Sequence, residues 1–237
     1  MSITTRYESV PVDGDHFDVY VALPEAGRGP GILLFQEIFG INDNIRGLAE
    51  RLAELGFIAV APDMFWRIER RFERHDESGM ADAFSMVQRF DFATAVTDIQ
   101  AAHAHLLEMG ECTGKVGAMG FCLGGGLAFA AATSSRVDGK GVDAAVCYYG
   151  SAINSMLGQV EQLECPVMFH YGTRDQYIPT EAIDEVERAV ATKAGVEFHR
   201  YDAGHAFSNW DAPTFYDQPA ADLAWPRSVG FLDRYLK

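Results

Sequence analysis

Cys122 occupies the setting of a nucleophile in the segment Gly120–Gly124, whose sequence is Gly-Phe-Cys-Leu-Gly. A short apolar run precedes the segment and a helix-forming run follows it, so the sequence predicts a sharp turn from a strand into a helix. In such a nucleophile elbow the nucleophile has a strained backbone, and large side chains two positions away would clash with the turn. The first amides of the helix point at the thiol and favour its thiolate form. The pattern predicts a nucleophilic cysteine, the alternative being a buried cysteine at a glycine-rich helix start.

Asp175 and His205 are the candidate partners of that thiol, because a thiol nucleophile needs a base and the base needs an orienting group. Asp175 follows a predicted strand over 166–171, and His205 follows another over 196–201. The chain order nucleophile, acid, histidine is the one that accompanies an elbow of this kind. Taken singly, the aspartate could be a turn residue and the histidine a surface residue. The other histidines lack this setting and are interpreted as structural or solvated: His16, His75, His103, His105, His170 and His199.

Glu37 lies two residues after the buried apolar run 31–35, so it is expected at the same rim of the sheet. The loop after that strand also supplies one amide of an oxyanion hole in such sites. The expected pair is therefore the backbone N–H groups of Leu123 and Ile38. We expect the Glu37 carboxylate either to bond the thiol in the resting state or to form a salt bridge. The alternative is a rim glutamate paired with a nearby arginine and without a catalytic role.

Short apolar runs alternate with amphipathic runs along the chain, which predicts an α/β fold. The predicted strands are 17–23, 31–35, 57–61, 115–119, 142–149, 166–171 and 196–201. The predicted helices are 42–55, 81–109 as one helix or two, 123–134, 180–194 and 220–236, with 64–79 a loop containing a short helix. This alternation predicts a single domain over 1–237, with a mostly parallel sheet flanked by helices on both faces and an antiparallel first strand. Ligands bind at the carboxyl ends of the strands in such a sheet, where the candidate residues fall.

The composition limits the partners and the compartment. The formal net charge is −15 over 237 residues, which argues against binding to nucleic acid or to an anionic membrane. The N-terminal residues lack the apolar stretch of a secretory signal, and no apolar run is long enough to span a bilayer, so a cytoplasmic location is expected. The spacing of the cysteines does not suggest a metal site, and all four are expected to be free thiols: Cys112, Cys122, Cys147 and Cys165.

Four motifs along the chain resemble the dienelactone hydrolases, or carboxymethylenebutenolidases. They are Gln36–Gly40 (QEIFG), Gly120–Gly125 (GFCLGG), Tyr148–Gly150 (YYG) and Gly204–His205. The resemblance covers nearly the whole chain and implies an α/β-hydrolase fold with a triad of Cys122, His205 and Asp175. It also implies that Glu37 switches the thiol between a resting and an attacking state, and that no metal or organic cofactor takes part. The implied reaction is the opening of a small-molecule lactone through an acyl-enzyme, in the degradation of aromatic compounds. We expect a monomer or a small homo-oligomer.

Two positions depart from the family pattern. The members that the chain resembles hold the substrate carboxylate with two arginines, and the corresponding positions here are Asn209 and a site near Met80. Phe84 and Val87 stand where more polar or larger aromatic residues are usual. An amide cannot replace the two-pronged grip of a guanidinium on a carboxylate. The arginines of the adjoining segments are interpreted as a solvated charged face, although one of them could substitute: Arg67, Arg70, Arg71, Arg74 and Arg89.

Aromatic side chains near the strand ends are expected to form the substrate pocket. They are Phe39, Phe84, Tyr149 and Phe207, with Asn209 in the same pocket and Trp210 at its rim. The main prediction is a cysteine hydrolase that cleaves an ester or lactone through an acyl-enzyme on Cys122. One alternative is a general carboxylesterase or thioesterase for neutral, apolar substrates. The other is a redox sensor in which peroxide oxidises a reactive thiol and no hydrolysis takes place.

Overall fold

Eight strands form one sheet in the computed structural model, which describes residues 2–75 and 77–237. Asp76, within the predicted 64–79 loop, and Met1 lie outside the described residues. The strands are β1 (Thr4–Val12), β2 (Asp15–Leu23), β3 (Gly29–Phe35), β4 (Ile58–Pro62), β5 (Cys112–Phe121), β6 (Ala144–Tyr148), β7 (Val167–Gly172) and β8 (Val196–Tyr201). Their order across the sheet is β1-β2-β4-β3-β5-β6-β7-β8. β2 pairs antiparallel with β1 and β4, and the other pairs are parallel, which confirms the mostly parallel sheet.

Helices cover both faces of this sheet, as predicted. The α-helices are α1 (Asp43–Glu54), α2 (Met80–Arg89), α3 (Phe92–Glu108), α4 (Leu123–Ser134), α5 (Thr180–Val190) and α6 (Gln218–Leu236), and 3₁₀ helices span Glu77–Gly79 and Ile153–Gln162. Ile99 of α3 and Leu127 of α4 belong to the hydrophobic core on one face, and Leu48 of α1 and Phe231 of α6 to the core on the other. Within the described ranges, no helix is both long and apolar enough to cross a membrane.

The burial of each strand explains how well the sequence predicted it. β3, β4, β6 and β7 are buried along their whole length, and their side chains are mostly apolar on both faces because helices cover each side. The buried ring of His170 in β7 is the exception, and it contacts the Tyr201 and Ser228 hydroxyl groups. β1 was not predicted. It is an edge strand that pairs with β2 and keeps polar, partly exposed side chains over most of its length, so its sequence lacks an apolar signal.

The segment 81–109, predicted as one helix or two, forms two helices in the structure. The chain is extended at Phe90 and Asp91, and the Asp91 carboxylate accepts a hydrogen bond from the backbone N–H of Ala93 at 3.0 Å. An aspartate in this position caps the start of a helix, so α3 begins anew after the break. α2 is thereby set apart from α3, and its position becomes important for the candidate site. The 3₁₀ helix Ile153–Gln162 was not predicted at all.

Acid should destabilise the fold in part through His103 of α3. Its ring is buried, with Nδ1 3.0 Å from the Ser135 hydroxyl oxygen, and burial lowers its pKa from 6.5 to about 4. As the pH falls through this window the unfolded chain gains a proton that the folded chain does not bind, so the free energy of unfolding drops by roughly 3 kcal/mol. A His103→Gln variant should lose this part of the pH dependence. Urea unfolding of both proteins at several pH values measures the difference, and parallel pH profiles would contradict the prediction.

Candidate active site

Cys122 lies on the turn between β5 and α4 with the backbone that an elbow requires. Its φ is 55° and its ψ is −115°, a left-handed conformation that is strained for any residue but glycine. A Cβ atom at Gly120 would come within 1.9 Å of the Gly124 carbonyl oxygen, and one at Gly124 within 2.3 Å of the Phe35 carbonyl oxygen. A side chain at either glycine would therefore clash with backbone, which is why the residues two positions from the cysteine must be small.

α4 begins directly after the thiol. Leu123 is the first residue of the helix, and the Gly125 and Gly126 N–H groups donate to the Cys122 carbonyl oxygen at 3.0 and 3.3 Å. Ile38, in the loop after β3, lines the same cavity as Cys122 and Leu123. The two residues expected to supply an oxyanion hole are thus both placed beside the thiol.

His205 and Asp175 form a buried hydrogen-bonded pair. The His205 Nδ1 atom is 2.7 Å from Asp175 Oδ2, and both side chains are almost completely inaccessible to solvent. The other oxygen, Oδ1, accepts hydrogen bonds from the backbone N–H groups of Tyr177 at 2.8 Å and Ile178 at 2.9 Å. The aspartate is therefore locked in place by its own loop and fixes one edge of the imidazole ring.

The imidazole of His205 is a strong base in this environment. Burial alone would lower its pKa, but the charge interaction with Cys122 and the hydrogen bonds to Asp175 and Cys122 raise the pKa to about 10. The structure thus brings Cys122, His205 and Asp175 into one chain of contacts. An imidazolium beside a thiolate is the charge arrangement that cysteine nucleophiles use.

Ser151 is a further polar neighbour of the thiol that the sequence analysis missed. Its hydroxyl oxygen is 3.6 Å from Cys122 Sγ, and its backbone N–H donates to the Cys122 carbonyl oxygen at 3.0 Å. It follows the Tyr148–Gly150 motif just beyond the carboxyl end of β6. The rule that ligands bind at strand ends could have identified it, since β6 lies next to β5 in the sheet.

Glu37 is buried and bonded to neutral groups. Asn209 Nδ2 donates to one carboxylate oxygen at 2.6 Å and the Tyr149 hydroxyl donates to the other at 3.1 Å. These partners differ from the expected thiol bond and from an arginine salt bridge. Burial raises the pKa of the Glu37 carboxyl group, while the Asn209 bond, the charge of His205 and the Tyr149 bond partly offset that effect. The buried environment therefore favours the protonated form of Glu37 more than water does.

A cavity of about 200 Å³ opens beside the thiol. Its wall includes the predicted Phe39 and Phe84, and it is lined by Glu37, Ile38, Phe39, Met80, Phe84, Val87, Phe92, Cys122, Leu123, Ser151, Ala152, Tyr177, His205, Ala206, Ala212 and Phe215. Within the described part of the chain, no group of three or more His, Cys, Asp or Glu side chains is arranged to hold a metal ion.

The remaining predicted pocket residues lie behind this wall rather than in it. Tyr149, Phe207 and Asn209 are almost fully buried, because Tyr149 and Asn209 turn inward to bind Glu37 and Phe207 packs on the Tyr149 ring with 5.1 Å between centroids. Trp210 also lies elsewhere, with the Arg51 guanidinium 5.6 Å from its ring. The expectation that these residues contact substrate directly is corrected accordingly.

Arginines of the segment before α2 are engaged in ion pairs outside the cavity, as expected for a charged face. The pairs, at 2.6 to 2.8 Å, are Arg67–Asp98, Arg70–Asp15, Arg71–Asp18 and Arg74–Asp82. Arg67 also anchors its segment to α3, because Asp98 is buried and accepts a second hydrogen bond from the Trp66 indole at 2.9 Å. None of these arginines lines the cavity in the described residues.

Comparison with known proteins relates the chain to one family. The profile of the Dienelactone hydrolase family matches residues 17–236. A carboxymethylenebutenolidase of Pseudomonas sp. strain P51 is 34% identical over 225 residues, covering 93% of this chain and 91% of that protein. A carboxymethylenebutenolidase of Rhodococcus opacus is 33% identical over 226 residues, covering 91% and 85%. A crystal structure of a Klebsiella pneumoniae protein classed with the dienelactone hydrolases has a TM-score of 0.84 and 28% identity, covering 99% of this chain and all of that one.

The sheet topology and these neighbours define a hydrolase of the α/β-hydrolase fold. Within that fold, the chain belongs to the dienelactone hydrolase family, and the family assignment makes it a hydrolase of ester or lactone bonds.

Enlarging Gly120 should damage the elbow. In Gly120→Ala the new Cβ meets backbone at 1.9 Å, so the turn must shift at a cost of roughly 1–3 kcal/mol in stability, and ester turnover should fall with it. Gly230→Ala in α6 is the matched control, because a Cβ there meets nothing within 4 Å and alanine favours helix. Urea unfolding and ester hydrolysis measure both effects. Equal stability and turnover in the two variants would contradict the steric argument.

Proposed function

We propose that the protein is a cysteine hydrolase that cleaves a small-molecule ester or lactone through an acyl-enzyme on Cys122. The observation that carries the proposal is the strained Cys122 backbone at the β5–α4 turn, placed beside a histidine that is itself bound to a buried aspartate. Membership of the dienelactone hydrolase family supports the same reaction class. A redox sensor needs a reactive thiol, but it does not need the general acid and base that the hydrolysis of an acyl-enzyme requires of His205.

The first half of the proposed reaction is attack by the Cys122 thiolate on the substrate carbonyl carbon. A carbon–sulfur bond forms, and the carbonyl π electrons move onto oxygen to give a tetrahedral oxyanion. The backbone N–H groups of Leu123 and Ile38 then bond this oxyanion, each donor lowering the barrier by about 3 kcal/mol. The carbon–oxygen bond to the alcohol breaks next, and the His205 imidazolium gives its proton to the leaving oxygen.

The second half removes the acyl group from sulfur. Once Cys122 is a neutral thioester, the anion that raised the pKa of His205 is gone, and the ring can act as a base toward water. Water attacks the thioester carbon, and the carbon–sulfur bond then breaks. The sulfur of Cys122 leaves as a thiolate, which restores the free nucleophile. Asp175 holds the imidazole in one orientation through both halves.

Glu37 is proposed to set the resting state of the thiol. Its carboxyl group lines the cavity with Cys122, and burial raises its pKa while the charge of His205 lowers it. Its protonation is thus coupled to the charge on the imidazole. Asn209 and Tyr149 hold the carboxyl group in position for this role, which is why neither faces the substrate cavity.

Replacing the nucleophile should abolish turnover. Cys122→Ala should reduce kcat for p-nitrophenyl acetate by on the order of 10³-fold or more, and Cys122→Ser by ~10²-fold, since serine needs a stronger base than a thiol does. Cys112→Ala, a partly exposed thiol outside the site, should keep the parent rate. Acid-quenched mass spectrometry should find the acetyl group on Cys122. Turnover by Cys122→Ala near the parent rate would refute the proposal, and a thiol without an acyl-enzyme would favour the redox sensor.

The pKa of His205 should fall when the thiolate is removed. The Cys122 charge is the largest of the effects that raise this pKa to about 10, so the imidazolium of Cys122→Ala loses that stabilisation and deprotonates at lower pH. Titration of the ring nitrogens by NMR in both proteins measures the shift. A His205 pKa that stays near 10 in the variant would show that the thiolate does not control the base.

A further inference from the structure

The cavity beside Cys122 has no arginine or lysine side chain in its wall among the residues that the structure describes. Apart from the site residues themselves, its wall is aliphatic or aromatic, with Met80, Phe84, Val87 and Phe92 along one side and Phe215 on another. Pockets for charged ligands place at least one charged or strongly polar group against the ligand charge. This wall offers substrate an apolar surface.

Two arginines near the cavity in sequence are already engaged, and Arg89, two residues beyond Val87 on α2, is exposed and does not line the wall. Arg74, which precedes α2, pairs with Asp82 at 2.8 Å. Arg174, next to Asp175, binds the Asp202 carboxylate at 2.7 Å and the Asp202 carbonyl oxygen at 2.6 Å. A substrate carboxylate would have to displace one of these pairs to bind Arg74 or Arg174.

The carboxyl group that lines the cavity also disfavours an anion. Glu37 contributes a carboxyl group to the wall, and the chain as a whole carries a formal net charge of −15. A carboxylate that enters an apolar cavity loses its hydration and needs a partner to compensate. Here an anionic substrate would lose water and approach another carboxyl group, and the His205 imidazolium in the wall is already hydrogen-bonded to Asp175 and Cys122.

Two half-exposed aromatic rings flank the cavity. Phe84 of α2 is 41% exposed and Tyr177, in the loop after β7, is 48% exposed, and their ring centroids are 6.3 Å apart. The Tyr177 ring also meets the imidazole of His205 edge-on at 5.2 Å. These two rings give an entering molecule apolar surface that leads from solvent to the catalytic histidine.

We propose that the substrates are esters or lactones that carry no charge on either side of the scissile bond, and that Phe84 is a specificity-determining residue for them. The inference rests on the proposed cysteine hydrolase function. It narrows the substrate class to uncharged apolar molecules, because the wall, the engaged arginines and Glu37 all disfavour an anion.

Matched substrate pairs test this class directly. p-Nitrophenyl hexanoate and mono-p-nitrophenyl adipate differ by a terminal methyl against a carboxylate on the acyl side. Phenyl hexanoate and 4-carboxyphenyl hexanoate differ in the same way on the alcohol side. The neutral member of each pair should have a kcat/KM higher by ~100-fold, the cost of burying an unpaired carboxylate. Turnover of either anionic member within about threefold of its partner would overturn the inference.

A variant with a new cation tests the role of Phe84. Phe84→Arg places a guanidinium beside the cavity, where it can pair with the adipate carboxylate, so the hexanoate-to-adipate ratio of kcat/KM should narrow by ~10-fold. Leu223→Arg is the matched control: Leu223 is 54% exposed on α6, outside the cavity wall, and the substitution changes the net charge equally. The control should keep the parent ratio. An equal shift in both variants, or no shift in Phe84→Arg, would overturn the assignment to Phe84.

The two proposals fail in different ways. If Cys122→Ala still turns over every ester at the parent rate, the cysteine hydrolase mechanism is wrong. If turnover depends on Cys122 but the charged and neutral members of each pair react alike, the mechanism stands and only the substrate class is wrong.

Discussion

The site depends on one crowded piece of backbone, where the end of β5 turns into α4 at Cys122. Gly120 and Gly124 bring carbonyl groups of β3 and α4 closer than any side chain would allow, and this packing holds the cysteine at a φ of 55°. The strain is local, and the sheet and helix on either side supply the stability that maintains it. Because the thiol is fixed relative to β3, the loop that carries Ile38 is fixed relative to the thiol as well.

The rest of the site is built onto that fixed point from neighbouring strand ends. The parallel strands β6, β7 and β8 follow β5 across the sheet, and their carboxyl ends deliver Ser151, Asp175 and His205 to the same rim. Asp175 is held by two backbone amides of its own loop, so the imidazole has a rigid partner. The geometry follows from strand order more than from the loops themselves.

The sequence was sufficient to bring the candidate residues together, because its main signals are local. The glycines around Cys122 reflect a steric requirement of the turn. Asp175 and His205 could be placed because each follows a recognisable strand, the buried β7 and the half-buried β8. β1 and the break at Phe90–Asp91 were harder: an edge strand needs few apolar residues, and one capping aspartate between two helical runs is a weak signal.

The direction of individual side chains could not be predicted from the sequence. Tyr149, Phe207 and Asn209 lie close to the site in the chain, as expected, but they point into the protein because Glu37 needs buried donors. Which residues line a cavity depends on packing between distant segments, such as Glu37 with Asn209. That contact cannot be predicted from the pattern of residue types along the chain.

α2 separates the choice of substrate from the stability of the enzyme. The helix spans Met80–Arg89 and gives the cavity Met80, Phe84 and Val87, while Ala83 and Met86 are its fully buried residues. Met80 and Val87 also pack against one of the hydrophobic cores, whereas Phe84 is 41% exposed, so substitution at Phe84 changes the cavity wall with the least effect on the core. A lineage with this architecture can acquire new substrates through a few changes on one surface helix, without passing through poorly folded intermediates.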